Sequence, residues 1–468
     1  MMLTENKDPM VQRAVAVATL KAEALEVLKQ NILPFWMKKM KDREHGGFYG
    51  QMTGRYELNR EANKGAILNA RILWSFSAAY RVLSQLTPES SQLSAYLEAA
   101  TQAKDYILDH FIDKEYGGVY WSVDYLGQPK DTKKQFYALG FALYGLSEYA
   151  RATGDREALD YALQLFDCIE EHAFDPENNG YIEATTRDWQ PIADMRLSDL
   201  DQNYPKSQNT HLHIIEPYTN LLRALREMQA AQSCAYVPAI GSILPIDIAV
   251  PHEMMIRVEG ALRNLIDIFT EKILNPFTHH LDLFFEMDWT RGASQLESYG
   301  HDIECSWLLH EAALVLGDEE VLRKVEPIVQ MVAKASEKGL NADGSMIHEG
   351  KAPLSSPEGD TLPCKQTNEA PSGAVGGAKA DDDLHWWVQA ENVVGWLNIY
   401  QHFGDEEALQ RALRCWQYIK KNLIDWEHGE WYWSRRADGT LNQDDDHAGF
   451  WKCPYHNSRM CLEIIERF

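Results

Sequence analysis

The chain has 468 residues, 45% hydrophobic and 25% charged, an ordinary globular composition. A formal net charge of -25 and an isoelectric point near 5.0 argue against nucleic-acid and membrane partners, because such a surface repels phosphate backbones and anionic headgroups. Seven scattered cysteines (168, 234, 305, 364, 415, 453 and 461) form no C-x-x-C pair, which argues against a disulfide framework or a zinc knuckle and fits a reducing cytoplasm.

The N-terminus reads MMLTENKDPM, polar and without an apolar stretch behind it, so neither a secretion signal nor a membrane span is expected. Further along, short aromatic segments with turn residues recur: Gly46–Gly50, Gly117–Trp121, Gly180–Glu183, Leu281–Phe285, Gly344–Ile347 and Gly429–Trp433. Several continue into turns such as Asp124-Tyr125-Leu126-Gly127 and Ala437-Asp438-Gly439, the mark of hairpin tips.

Each segment is followed by apolar residues at three- and four-residue spacing, which predicts helices over 67–83, 136–149, 212–225, 303–316, 387–400 and 453–465. A second helix is expected before each next hairpin. Three of these open on Gly154-Asp155, Gly317-Asp318 and Gly404-Asp405, where glycine closes one helix and aspartate caps the next. Helix, hairpin and helix repeated six times predict about twelve helices in one domain over residues 1–468. Irregular repeats and aromatics gathered at one edge favour a closed (α/α)6 barrel, six inner and six outer helices with short hairpins at the mouth, over an open solenoid. Two stretches break the rhythm. Residues 230–252 form an apolar insertion, and residues 351–380, rich in Gly, Pro, Ser and Ala, are expected to form a loop insertion.

The unusual polar residues fall at the predicted starts of the inner helices. They are Arg71 in the first, Tyr137 in the second, and Asn209, His211, His213 and Glu216 in the third. His301 and Glu304 follow in the fourth, His385, Trp386, Trp387 and Glu391 in the fifth, and Trp451 and His456 in the sixth. Converging on one mouth, these groups suit a polar, ring-shaped ligand: indole faces stack on sugar C–H surfaces while carboxylates, Arg and Asn bind hydroxyls. His213 with Glu216 and His301 with Glu304 have a spacing that could ligate a metal. No matching second histidine-rich face accompanies them, so no metal is expected, and no G-x-G-x-x-G or P-loop calls for a nucleotide cofactor.

The phrases NTHLHIIEPYTNL, GHDIECSWLLHEA, HWWVQAENVVGW and WKCPYHNSRMCLEI closely resemble the cellobiose 2-epimerases of the N-acylglucosamine 2-epimerase superfamily, in the same order and over nearly the whole chain outside the two insertions. The resemblance implies an (α/α)6 barrel and cofactor-independent epimerisation at the reducing-end sugar of a β-1,4-linked disaccharide; a monomer or homodimer is expected. It places the paired catalytic histidines at His301 and His456. Supporting residues fall at Arg71, Tyr137, Asn209, His213, Glu304 and Glu391, and sugar-stacking tryptophans at Trp451 and at Trp386 or Trp387. Cys305 stands where a small alanine is usual, and the run Ser458-Arg459-Met460 departs from the pattern.

Such chemistry removes a weakly acidic C–H proton beside a carbonyl, after ring opening has exposed the aldehyde. Imidazole can act as acid or base near neutral pH, and two histidines on opposite faces allow inversion without rotating the intermediate. Arg71 and the N–H of His213 are expected to stabilise the cis-enediolate, and Glu304 to hold a hydroxyl or orient the neighbouring imidazole. Three readings compete with this one: an aldose–ketose isomerase of the same superfamily, a glycoside hydrolase using Glu304 and Glu391, and a non-catalytic binding protein.

Overall fold

A computed structural model describes residues 8–199, 201–233, 252–351 and 380–468. Twelve long helices run through the described residues, as the repeat predicts. The six inner helices are Ala66–Leu86, Phe136–Thr153, Gln208–Ser233, Tyr299–Leu316, Trp386–Phe403 and Tyr455–Arg467. Each packs on the next and the sixth returns to pack on the first, which closes the (α/α)6 barrel. The outer helices run over residues 93–111, 156–172, 252–273, 319–336 and 406–422, each beside the inner helix that precedes it. The twelfth, over residues 9–40, packs on the sixth inner helix from the opposite end of the chain.

The sixth inner helix begins at Tyr455, two residues later than the spacing predicts, because Pro454 occupies the cap. Most of both expected insertions lies outside the described residues, as do Cys234 and Cys364. Of the first insertion, residues 230–233 are the end of the third inner helix and His252 opens the next outer helix. Among the described residues, no helix is long and apolar enough to cross a membrane.

The Gly-Asp junctions form as their chemistry dictates. Gly154, Gly317 and Gly404 close inner helices in the left-handed region, with φ between 71° and 75°. Asp155, Asp318 and Asp405 then accept backbone N–H bonds from the first turn of the following outer helix.

The mouth is built differently. The residues before each inner helix pair antiparallel with the hairpin of the following repeat: Lys64–Gly65 with Ser122–Val123, Lys134–Gln135 with Ala184–Thr185, and Lys206–Ser207 with Phe284–Phe285. Leu296–Ser298 pairs with Glu349–Lys351 and Leu384–His385 with Ser434–Arg435, and a bridge between Met52 and Ala448 completes the ring. The first N–H of an inner helix therefore bonds a hairpin carbonyl, as in Ala66 to Trp121, Phe136 to Glu183 and Trp386 to Trp433. This pairing holds the inner-helix starts, and the side chains they carry, around one opening.

Candidate active site

Local sequence sets the pose of each side chain at that opening. Pro217 lacks the N–H that would bond the His213 carbonyl, and its ring crowds that oxygen, so the third inner helix kinks at His213 (φ -94°, ψ 15°). Gly140 accommodates the displaced carbonyl, since a Cβ there would lie 2.5 Å from His213 O. On the fourth inner helix, Gly300 leaves room for the Trp387 indole beside His301; a Cβ would approach it to 2.7 Å.

The two candidate catalytic imidazoles flank Trp387, with ring centroids 4.9 Å from it for His301 and 5.6 Å for His456. Each is held through Nδ1. His456 Nδ1 lies 2.7 Å from Glu391 Oε1, and His301 Nδ1 lies 2.7 Å from Ser298 Oγ. Burial lowers the pKa of both rings well below the usual histidine value. The neighbouring charges of Arg71 and Arg459 add to this for His456, and proximity to His348 and His213 adds to it for His301.

Beneath them the buried guanidinium of Arg459 gathers three carboxylates from three helices. It donates to Glu216, and at 2.7 Å to both Glu304 Oε1 and Glu391 Oε1. Tyr455 also donates to Glu216, and Trp307 Nε1 donates to Glu391 Oε2 at 3.0 Å. Burial alone would raise the pKa of Glu216; Arg459 and the bonds from His213 and Tyr455 outweigh it and hold the carboxyl at about 2. Burial and the nearby Glu391 raise Glu304 well above the carboxylate range. Burial likewise raises Glu391. One cation among three acids favours a neutral member, and Glu304 is placed for it: its Oε2 has no partner, whereas both Glu391 oxygens are hydrogen-bonded.

One expectation needs correction, and one of two alternatives falls away. His213 Nδ1 lies 3.0 Å from Glu216 Oε2, and an ionised Glu216 fixes the proton on that nitrogen. In the neutral ring Nε2 is then a lone pair rather than an N–H aimed at an oxyanion. Glu304 does not orient His301, whose Nδ1 contacts Ser298. Its Oε1 serves Arg459 instead, and lies 3.9 Å from His456 Nδ1. The imidazole-orienting carboxylate is Glu391, on the next helix.

The other candidates converge as well. Arg71 donates to the Tyr137 hydroxyl at 2.8 Å, and its guanidinium lies 4.2 Å from the Phe141 ring centroid. Trp451 meets the edge of Tyr137 at 6.1 Å and is half-buried. Trp387 is half-buried between the histidines, whereas Trp386 is buried against Trp433 under the ammonium of Lys452. Asn209 and His301 line a cavity of about 110 Å³ together with Glu183 and Ser298. His211 lies outside this group: its Nδ1 contacts Ser207 O and its Nε2 accepts from the Tyr181 N–H, a structural pairing. Several buried atoms of the site, among them Arg71 Nε, Asn209 Oδ1 and Glu304 Oε2, have no hydrogen-bond partner within the protein. Such groups suit a hydroxyl-rich ligand.

Sequence reasoning missed Ser298, Tyr455 and the central role of Arg459. It noted Arg459 only as a departure from the family pattern, and its three carboxylate partners are distant in the chain.

The family model for N-acylglucosamine 2-epimerase matches residues 46–218 and 259–459. The chain belongs to this family. A cellobiose 2-epimerase of Bacteroides fragilis is 51% identical over 95% of this chain and 98% of its own length. One from Ruminococcus albus is 36% identical over 95% of this chain and 98% of its own length. The solved structure of the cellobiose 2-epimerase of Bacillus thermoamylovorans superposes with a TM-score of 0.79 at 38% identity, over 96% of this chain and 100% of that one. Family and fold are those of a carbohydrate epimerase. Every site residue named above from Arg71 to Glu216, and from His301 to Arg459, falls within the matched segments of this family member.

Proposed function

We propose that the chain epimerises carbon 2 of the reducing-end sugar of a β-1,4-linked disaccharide, interconverting cellobiose and glucosyl-mannose. The relatives that carry the cellobiose 2-epimerase name support the substrate. The observation that carries the chemistry is the pair of imidazoles, His301 and His456, each held through Nδ1 and flanking one indole.

Glu391 Oε1 takes hydrogen bonds from Arg459 and His456, so His456 bears its proton on Nδ1 and presents the Nε2 lone pair. His456 is the base in this state. The Ser298 hydroxyl can donate to or accept from His301 Nδ1, which suits a ring that changes protonation during turnover. Besides the Nδ1 proton of each ring, the pair carries one transferable proton, which starts on His301 Nε2. His456 removes the C2 proton, and the electron pair of that C–H bond passes into the cis-enediolate. His301 then delivers its proton to the opposite face of C2. The proton ends on His456, the state from which the reverse reaction starts. Arg71 stabilises the enediolate oxygen, and Glu304, protonated at Oε2, donates to a sugar hydroxyl.

Incubation with cellobiose in D2O, followed by chromatography and NMR, tests the proposal. Glucosyl-mannose carrying deuterium at C2 is the expected product. A ketose product would replace it with isomerisation, and free glucose with hydrolysis.

A further inference from the structure

Near the sugar site but outside its proton-transfer chemistry, two imidazoles converge on one carboxylate oxygen. His348 stands just before the strand Glu349–Lys351, and His385 ends the strand Leu384–His385. Asp381 precedes the second strand, and its backbone accepts a hydrogen bond from the Glu349 N–H. Asp381 Oδ2 lies 2.8 Å from His385 Nε2 and 3.3 Å from His348 Nδ1. The ligand atoms of all three lie within 4.8 Å of one another.

Protons alone satisfy this arrangement poorly. If both neutral rings point an N–H at Asp381, each keeps its lone pair on the far nitrogen. Those nitrogens, His348 Nε2 and His385 Nδ1, are buried and have no hydrogen-bond partner. A cation at the convergence point reverses the assignment: the inner nitrogens supply lone pairs and the outer ones carry the protons. His348 Nε2 then carries a proton, with the Glu349 carboxylate at 4.0 Å as the nearest countercharge, beyond direct hydrogen-bond distance. The separations of 2.8 and 3.3 Å are near the roughly 3.3 Å edge of a tetrahedron with metal–ligand bonds of about 2.0 Å. The Asp381 side chain is 42% exposed, against 16% for His348 and 10% for His385, so the site opens to solvent on one side and leaves positions for water.

We propose that His348, Asp381 and His385 form a binding site for a borderline divalent transition-metal ion such as Zn2+. Two imidazoles and a carboxylate are ligands for Zn2+, Co2+ or Ni2+ rather than for Ca2+ or Mg2+, which prefer all-oxygen sets. A second group, Glu304, Glu391 and His456, also clusters its ligand atoms. There, however, Arg459 already donates to both carboxylates, and a dication would have to enter beside a buried guanidinium.

Untagged, EDTA-treated protein is titrated with Co2+ and then Zn2+ in a buffer free of phosphate. The expected result is about one equivalent of Co2+ with the visible absorption of a low-symmetry site, displaced by Zn2+. Asp381→Asn and His348→Gln are expected to weaken binding by more than the roughly 10- to 100-fold that loss of an outer-shell partner costs. His456→Asn is expected to leave the spectrum unchanged. Circular dichroism identifies the variants that fold. In the unmutated chain, histidine acylation mapped by mass spectrometry is expected to show Zn2+ protecting His348 and His385. No Co2+ spectrum, binding that survives both ligand substitutions, binding lost in His456→Asn, or no protection of His348 and His385 would each overturn the proposal.

Discussion

At the scale of single residues the site is governed by the meeting of His456 with its charged surroundings. Arg71 from the first inner helix, His213 and Glu216 from the third, Glu304 from the fourth, Glu391 from the fifth and Arg459 from its own helix all act on this ring. Burial, Arg71 and Arg459 lower its pKa, so the neutral base persists below the ordinary histidine value of about 6.5. The sign follows directly: the base is present above its pKa and lost as pH falls through it. The acid limb of kcat/KM for cellobiose is therefore expected below pH 6.5, at about the same position at low and high salt, because the groups that lower it are buried. A limb at or above 6.5 would show that His456 does not supply the base. Replacing His456 or His301 with Asn is expected to lower kcat by roughly 10²- to 10⁴-fold, the usual contribution of a positioned acid or base, with little change in cellobiose affinity by calorimetry. Glu391→Gln separates positioning from catalysis. It keeps a hydrogen-bond acceptor for His456 but removes the negative charge, and is expected to reduce kcat more than it changes KM.

At the scale of elements, the inner-helix starts are fastened by buried lysines. Lys64 donates to Asp42 Oδ2 and to Gly46 O, both at 2.8 Å, and both side chains of the ion pair are fully buried. Lys134 with Asp113 and Lys206 with Asp175 repeat the device in the next two repeats. Each lysine ties the start of an inner helix to the hairpin turn before it. Lys64→Met removes one member of a buried pair and strands the Asp42 carboxylate, so it is expected to cost about 3–5 kcal/mol in chemical denaturation. The exposed Arg156–Asp160 pair, cut by Arg156→Met, is expected to change stability by about 0.5 kcal/mol or less. The lysines were readable in the sequence, standing two residues before Ala66, Phe136 and Gln208, but a lysine at a helix start reads as a solvated charge until its partner is known. The hairpins and Gly-Asp caps were legible because their causes are local: turn chemistry, left-handed glycine and the aspartate cap all act within a few residues. The site was legible one helix at a time. The kink at His213 and the charge balance at Arg459 were not, since each depends on a contact between helices that spacing along one helix does not encode.

At the scale of the molecule, the decisive feature is closure, where the two ends of the chain meet. Six repeats alone are compatible with an open stack; the contact between first and sixth inner helices makes the barrel. The helix over residues 9–40 covers the sixth inner helix, a place no periodicity in the sequence assigns to it. Glu430 joins these elements from a fully buried position. It accepts the Trp36 indole N–H at 2.6 Å from the N-terminal helix and the Lys452 ammonium at 2.8 Å from the segment leading into the sixth inner helix. Lys452 lies between Trp451 and the turn that presents His456, so the seam that closes the barrel also sets one wall of the site. Glu430→Gln retains an acceptor for Trp36 but leaves the buried Lys452 ammonium without its countercharge. It is expected to destabilise the fold by about 3–5 kcal/mol and to lower kcat in the protein that remains folded. Asp113 anchors Lys134 at an equally buried hairpin on the second repeat, away from the seam. Arg187 also pairs with Asp113 and keeps a countercharge there, so Lys134→Met is expected to cost less stability than Glu430→Gln, with a smaller effect on kcat. If both variants lose stability and kcat in the same proportion, closure carries no special weight in the site. A disproportionate loss of kcat in Glu430→Gln would mean that the catalytic geometry depends on joining the two ends of the chain.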